Sequence, residues 1–240
     1  MSKSEYKHIQ DIDGVLTIRA DEALVCSDVH VPGQHDTYID KMINYGKEHK
    51  IKHLFIAGDF WNFDAISRWE IKDRNLTFGE ELKIGRALLE RLTKHFYVYM
   101  VTGNHDARLP KILQYSISFS DWMATVIAKK VIVTDYDYLY LDSNGKKFRI
   151  CHPSLYSIIK GRQVSLLAQD LQENIIMGHQ HFFSYSTNKT GQYICIDSGC
   201  MCDKDAFVYK RSSTNRCPEW ENGFIHIKNG KVKLLSDFNF

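Results

Sequence analysis

The sequence predicts an α/β fold whose alternating first half is followed by a half rich in β-strands. Two observations predict it. Short apolar runs alternate with helical stripes up to residue 102, and further strand-like runs separated by turn signals follow. With 240 residues and no internal repeat or linker, we expect a single domain over 1–240, with its core over about 21–240.

The first half predicts parallel strands joined by helical crossovers. Apolar runs at 23–27, 53–57 and 96–102 are typical of buried strands, and amphipathic stripes predict helices over 36–50 and 78–95. A β-α-β-α-β order is typical of a parallel sheet. Open α/β sheets bind their ligands beyond the carboxyl ends of such strands.

The second half predicts a sheet richer in hairpins. The candidate strands there are 131–133, 139–141, 147–151, 174–177, 192–197 and 223–227. Turn signals at 143–145 and 228–230 separate hairpin partners.

Composition narrows the functional classes. A formal net charge of +2 does not indicate a nucleic-acid binder at the level of the whole chain. The first residues lack the apolar core of a signal peptide, and no apolar run reaches membrane-spanning length. We therefore expect a cytoplasmic protein with no membrane contact. The oligomeric state is not indicated.

The cysteines are expected to be reduced, mostly buried thiols. Cys200 and Cys202, followed by Cys217, could suggest a zinc knuckle, but a fourth partner at suitable spacing is missing. The free-thiol interpretation is therefore favoured.

Short motifs rich in metal-binding side chains follow the apolar runs in order. They are Asp28-Val29-His30, Gly58-Asp59-Phe60-Trp61-Asn62, Gly103-Asn104-His105-Asp106, the lone His152, and Gly178-His179-Gln180-His181. Imidazole, carboxylate and amide donors suit borderline and hard divalent cations. As alternate residues of an extended segment, His179 and His181 are expected to point to one side. The ordered set predicts a binuclear metal site.

These motifs resemble those of the calcineurin-like metallophosphoesterase superfamily, whose pattern is D-x-H, GDxx(D/N), GNH(D/E), H and GHxH. The resemblance spans Asp28 to His181. It implies an αββα sandwich, in which two mixed β-sheets pack together and are flanked by helices. The stretch between Asn62 and Gly103 is longer than in compact members, which predicts an insertion near the site at about 63–80.

The resemblance also implies ligand roles. Asp59 would bridge two divalent ions. The predicted ligands of one ion are Asp28, His30 and His181, and those of the other are Asn104, His152 and His179. Manganese is the favoured metal, with iron, zinc, nickel and magnesium as alternatives.

The mechanism implied by the resemblance is hydrolysis of a phosphate ester. A hydroxide between the ions would attack phosphorus in line with the leaving oxygen. His105 resembles the general acid, with Asp106 orienting its ring. Asn62, Arg68 and Arg108 are candidate substrate contacts, although an exposed surface arginine is an open alternative for Arg108.

The favoured activity is that of a phosphodiesterase on nucleotides or nucleic acid. Segments 64–74 and 207–220 mix basic and aromatic residues, which can pair with phosphates and stack on bases. Solvated loops are the alternative for both segments. A phosphomonoesterase on a small metabolite or phosphoprotein stays open, as does a non-catalytic scaffold of the same fold. A metal-dependent amidohydrolase is disfavoured, because it would carry its His-x-His pair after the first strand.

Overall fold

The computed structural model describes residues 9–12, 15–67, 76–127, 130–207 and 220–236. The strands are β1 (Ile9–Ile12), β2 (Val15–Arg19), β3 (Glu22–Cys26), β4 (His53–Ile56), β5 (Tyr97–Val101), β6 (Val131–Thr134), β7 (Tyr138–Ser143), β8 (Lys146–Cys151), β9 (Asn174–Met177), β10 (Phe183–Thr187), β11 (Ile194–Ser198), β12 (Gly223–Lys228) and β13 (Lys231–Ser236). The helices are α1 (Asp36–Glu48), α2 (Phe78–Thr93), α3 (Arg108–Ile112), α4 (Phe119–Val126) and α5 (Arg162–Leu171).

The described strands form two mixed sheets. A six-stranded sheet has the order β13-β12-β3-β4-β5-β6, and a seven-stranded sheet has the order β1-β2-β7-β8-β9-β11-β10. Strands β3, β4, β5 and β6 run parallel to one another. The crossovers predicted for the first half are therefore confirmed.

Alternation along β3 and β4 determines how the layers stack. Leu24 and Leu54 pack in an apolar cluster with residues of α1, α2 and α4. Val25 and Phe55, the next residues along, pack instead against residues of the seven-stranded sheet. Because successive side chains of a strand point to opposite faces, the six-stranded sheet is covered by helices on one face and by the second sheet on the other.

Helix α5 covers the outer face of the seven-stranded sheet. Its buried residues Val164 and Ala168 pack against Ile175, Met177 and Cys195 of β9 and β11. The order of layers is helices, sheet, sheet, helix. The predicted αββα sandwich is confirmed.

Thr77 is the N-cap of helix α2, and its side chain and that of Glu80 form a capping box. The Thr77 hydroxyl accepts from the Glu80 N–H, and the Glu80 carboxylate accepts from the Thr77 N–H. The range 63–80 holds a short 3-10 turn at Asp64–Ile66 and the start of α2, and its assignment as an insertion stays a prediction. Residues 68–75 lie outside the described residues.

Several elements were not predicted from the sequence. They are β1, β2, β10, α3, α4 and α5, and β13 was indicated only by the turn signal at 228–230 that precedes it. Strand β2 shows why: its apolar residues Val15, Leu16 and Ile18 make only a short run. Strand β2 forms by pairing with β1 and with β7, and β7 is remote from it in sequence.

The described cysteines are free and buried, as predicted. Cys217 lies outside the described residues. Among the residues that the structure describes, no helix has the length and apolar character needed to cross a membrane.

Candidate metal centre

Strand ends of both sheets converge on one set of side chains. Loops after β3, β4 and β5 contribute from the six-stranded sheet, and loops after β8 and β9 contribute from the seven-stranded sheet. The residues brought together are Asp28, His30, Asp59, Asn104, His105, His152, His179 and His181. Both groups of ligands expected from the sequence are thus neighbours in space.

The first group contains Asp28, His30 and His181. The Nε2 atom of His181 lies 3.0 Å from Oδ1 of Asp28 and 3.2 Å from Nε2 of His30. Nε2 of His30 lies 3.6 Å from the same Asp28 oxygen. All three side chains are buried.

The second group contains Asp59, His152 and His179. The Nε2 atom of His152 lies 3.1 Å from Oδ2 of Asp59 and 3.2 Å from Oδ1 of Asn104. Asn104 is therefore at the edge of the same group, where an amide oxygen can serve as a ligand.

Asp59 lies between the two groups. Its Oδ2 atom is 3.1 Å from Nε2 of His152 and 3.8 Å from Nε2 of His30. Its other oxygen, Oδ1, accepts a hydrogen bond of 2.7 Å from the His105 N–H. One carboxylate oxygen is thus held by the backbone, and the other faces both groups.

The separations of 3.0–3.2 Å fit shared ions, whereas those of 3.6 and 3.8 Å from Nε2 of His30 to the two carboxylates are wider. Ligand atoms about 2.1 Å from one cation, at angles of about 90–110°, lie roughly 3.0–3.4 Å apart. Oδ1 of Asp28 has no hydrogen-bond partner among the described residues, although it lies 3.0 Å from Nε2 of His181. A buried carboxylate oxygen without a hydrogen bond needs a cation or a proton. The donors present therefore fit divalent ions.

The pKa shifts of the buried side chains also indicate that the site requires positive charge. Burial alone would raise the pKa of Asp59, but His152 and His105 lower it below the usual range. Burial would lower the pKa of His152, yet Asp59 and Asp28 raise it to about 10. Without ions, a proton on His152 balances part of the carboxylate charge. Divalent cations can replace that proton.

Hydrogen bonds outside the groups orient the rings. The Nδ1–H of His152 donates to the Ala57 carbonyl at 2.7 Å, which leaves Nε2 facing Asp59. The Nδ1 atom of His30 lies 3.2 Å from Oδ1 of Asn62, which leaves Nε2 facing His181. Such partners fix the tautomer and the direction of a metal-binding imidazole.

The backbone at the proposed ligands is strained. Asp28, His30, Asp59, His179 and His181 all have positive φ, a region that side chains other than glycine rarely adopt. The expectation of an extended segment through His179 and His181 is therefore wrong. The chain turns sharply after β9, so His179 joins the second group and His181 the first. Strain of this kind concentrates at functional sites.

Two glycines allow the loops to approach closely. A Cβ atom on Gly103 would collide with the carboxylate of Asp59, and one on Gly58 would collide with the His152 ring. The glycines of the GD and GN motifs are therefore needed for space beside the ligands.

Asp106 does not orient His105, which corrects the role expected for it. Its carboxylate accepts one hydrogen bond of 2.9 Å from the Trp61 N–H and another of 2.9 Å from the Gly103 N–H. The Nδ1–H of His105 donates instead to the Asn62 carbonyl at 3.1 Å. Asp106 is fully buried and ties the loop after β4 to the loop after β5.

The predicted substrate contacts have different positions. Arg108 donates to the Asn62 carbonyl at 2.7 Å and to Asp64 at 3.1 Å, and its Nη2 atom lies 3.3 Å from Nε2 of His105. It is therefore not a free surface arginine. Asn62 lies between Arg108 and the His30 ring. Arg68 lies outside the described residues, as does most of segments 64–74 and 207–220.

Glu81 supports the site and was missed in the sequence. It belongs to α2, is almost fully buried and accepts a hydrogen bond of 2.6 Å from the Phe63 N–H. Burial raises the pKa of Glu81 to about 7. The hydrogen bond from the Phe63 N–H to Glu81 fixes the chain next to Asn62. Within an amphipathic helix, Glu81 was indistinguishable from the exposed Glu80.

Comparisons with known proteins identify a family that matches most of the chain. The family model described as calcineurin-like phosphoesterase matches residues 23–206. No curated protein sequence matches the chain significantly.

Among solved structures, Yfce, a phosphoesterase from E. coli, has 12% sequence identity and a TM-score of 0.50 over 91% of this chain and 95% of that chain. A protein of Streptococcus pneumoniae TIGR4, described as a predicted phosphoesterase, has 15% identity and a TM-score of 0.43, with 91% of each chain covered. A single mutant of Vps29 from Entamoeba histolytica has 15% identity and a TM-score of 0.46, with 89% of this chain and 96% of that chain covered. At 12% identity, the similarity to the E. coli structure supports the fold alone.

Proposed function

This chain belongs to the calcineurin-like phosphoesterase family, whose model spans residues 23–206, and from that premise we propose that it is a two-metal hydrolase of phosphate esters. The observation that carries the proposal is the position of Asp59, whose Oδ2 atom faces His152 at 3.1 Å and His30 at 3.8 Å. A carboxylate between two ligand groups is the arrangement that holds paired ions about 3.5–4 Å apart.

The proposed ligands form two sets, which match the two groups of neighbouring side chains. Asp28, His30 and His181 would hold one ion, Asn104, His152 and His179 the other, and Asp59 both. When bound, the ions would supply Lewis-acid polarisation of the phosphoryl group and an activated water for in-line attack. Nitrogen and oxygen donors of this kind accept manganese, which we favour, as well as iron, zinc, nickel or magnesium.

His105 is proposed to protonate the leaving oxygen. Burial lowers the pKa of His105 to about 3, so its ring is neutral before a substrate binds. A bound phosphate places negative charge beside the ring and favours its protonated form. The proton is held at Nε2, because Nδ1 donates to the Asn62 carbonyl.

We propose that the Arg108 side chain moves towards the phosphate when His105 is protonated. In the described state its Nη2 atom lies 3.3 Å from Nε2 of His105. Protonation of Nε2 turns this acceptor into a donor, and the guanidinium is then repelled towards the phosphate. Arginine binds phosphate oxygens well because its donors form a planar fork.

We favour a phosphodiester of a nucleotide or nucleic acid as the substrate. Two aromatic rings flank the first group: Phe207 lies 5.7 Å from the His30 ring and Trp220 lies 4.1 Å from the His181 ring, measured between centroids. The Phe207 ring is buried, the Trp220 ring is partly buried, and Tyr156 and Ile158, which follow His152 in the chain, are exposed. Accessible aromatic rings such as those of Trp220 and Tyr156 can stack on bases beside a phosphate-binding centre.

The test is hydrolysis of bis-p-nitrophenyl phosphate beside p-nitrophenyl phosphate with added manganese. Asn104→Ala is the test variant, and Asn44→Ala, on the exposed side of α1, is the matched control. Diester turnover that is lost in Asn104→Ala and kept in Asn44→Ala would support the proposal. A strong preference for the monoester would favour the phosphomonoesterase alternative. Absence of turnover on both esters, with ions bound, would favour the non-catalytic scaffold.

A further inference from the structure

A third cluster of metal-binding side chains lies beside the first group. It contains His181, Cys200 and Cys202, whose donor atoms all lie within 4.8 Å of one another. Cys200 is 1% exposed and Cys202 is 0% exposed, so neither thiol is a surface group. The proposed phosphoesterase chemistry uses neither of them.

The backbone presents both thiols together. Cys200 forms an isolated β-bridge with Asn222, and Cys202 forms one with Gln34. Residues separated by two positions in such extended chain point to the same side. The thiols are therefore neighbours because of the Cys-x-Cys spacing.

Asn222 holds this segment rigidly. Its amide Nδ2 donates to the Cys200 carbonyl at 3.1 Å and to the Cys202 carbonyl at 2.8 Å. Between them, the Met201 N–H donates to the carbonyls of Ser27 and Asp28 at 3.0 and 3.1 Å. Since these bonds fix the backbone, binding of an ion would require little ordering of the loop.

His181 supplies a second, independent observation. Its Nε2 atom lies 3.0 Å from Asp28, but its Nδ1 atom is buried with no hydrogen-bond partner among the described residues. A buried polar atom without a partner costs free energy that a ligand bond can offset. The residue with this unmet requirement is the one beside the two thiols.

We propose that His181, Cys200 and Cys202 form an additional site, which shares His181 with the first group, for a thiolate-binding ion such as zinc or cadmium. Thiolate ligands select softer ions than the carboxylate and imidazole groups nearby. Each thiol loses its proton to solvent when its sulfur binds the ion, and the His181 ring also releases its N–H proton when Nδ1 binds this ion while Nε2 binds an ion of the first group. Three protein ligands leave one position of a tetrahedral ion for water.

The site shares His181 with the first group. An ion bound to the thiols therefore fixes the His181 ring beside Asp28, and this coupling to turnover rests on the proposed function. The existence of the thiolate site does not, because it is measured by ligand spectroscopy rather than by activity.

The experiment is cadmium titration of the metal-free full-length protein carrying Cys217→Ser, since Cys217 lies outside the described residues. The readouts are the thiolate-to-cadmium charge-transfer absorption and the number of ions bound at equilibrium. We expect the absorption to saturate with one ion. In Cys200→Ser/Cys202→Ser it should disappear, with one ion fewer bound, whereas Cys195→Ala should keep both.

Absorption that persists in the double variant would overturn the proposal, as would unchanged stoichiometry. Cadmium NMR of the unsubstituted thiol pair gives a test that does not depend on folding of the double variant. A resonance in the range of two sulfur ligands supports the site. Resonances from oxygen and nitrogen ligands alone overturn it.

Discussion

The Oδ2 atom of Asp59 lies 3.1 Å from the Nε2 atom of His152. Asp59 follows β4 in the six-stranded sheet, and His152 follows β8 in the seven-stranded sheet. The contact therefore joins the two layers of the sandwich at their strand ends. Residues on both sides of it form the groups that we assign to metal ions, so the site depends on how the sheets pack.

Replacement of His105 by alanine should impair proton delivery without removing ions. Because the proposed ligands do not include its ring, the variant should keep its metal content. On an alkyl ester, where the leaving oxygen needs a proton, kcat should fall about 100- to 10,000-fold. On a p-nitrophenyl ester the loss should be much smaller. Steady-state kinetics across esters of graded leaving-group pKa measure this difference, with His95→Ala as the control.

Equal activity of His105→Ala and wild type on the alkyl ester would remove His105 from the mechanism. Loss of ions from the variant would instead indicate that the ring is a ligand, as its place near His30 and Asp59 allows.

Asp106→Asn should behave differently from His105→Ala. An amide has one accepting oxygen, so either the Trp61 N–H or the Gly103 N–H is left unpaired and buried. We expect a loss of about 1–3 kcal/mol in the free energy of unfolding, measured with denaturant. The fall in kcat should be the same for good and poor leaving groups. A loss confined to poor leaving groups would restore the role of Asp106 as the partner of the His105 ring.

Glu81 should make stability depend on pH. Burial raises its pKa from 4.5 to about 7, so between these values the folded state binds more protons than the unfolded state. The free energy of unfolding should therefore fall as pH rises through this window. Glu81→Gln lacks the titrating group. From pH 5 to pH 8, the difference in free energy of unfolding between Glu81→Gln and wild type should shift in favour of the variant by on the order of 1–3 kcal/mol.

Denaturant unfolding across that pH range tests the prediction, with the exposed Glu90→Gln as the matched control. A difference between Glu81→Gln and wild type that stays constant from pH 5 to pH 8 would contradict it.

The hydrophobic pattern of the sequence predicted the strands whose burial depends on their own residues. Strands β3, β4 and β5 are short buried runs, and within three residues of its end each leads into a motif with a metal-binding side chain. Their pairing follows from the helices between them. Strand β10, in contrast, alternates weakly and has exposed residues, and it forms by antiparallel pairing with β11.

The sequence predicted the side chains that converge at the site but not their supporting contacts. Asp28, His30 and Asp59 stand in motifs whose residue types already indicate a metal. The partner of Asp106 could not be predicted, because the Trp61 N–H comes within reach only when the loops after β4 and β5 are adjacent. Proximity of Cys200 to His181 follows from the antiparallel pairing of β10 with β11, whose register places Phe183 opposite Ser198 and continues towards these two residues.

The metal content and the electron paramagnetic resonance of the manganese-loaded protein test the central claim most directly, with Asp59→Ala and the exposed control Asp40→Ala. Wild type and Asp40→Ala should bind two ions whose spins are coupled, since a shared carboxylate holds them close. Asp59→Ala should lose the coupled signal, at least one ion and the esterase activity. Two coupled ions in Asp59→Ala, or a single uncoupled ion in wild type, would contradict the two-metal centre at Asp59.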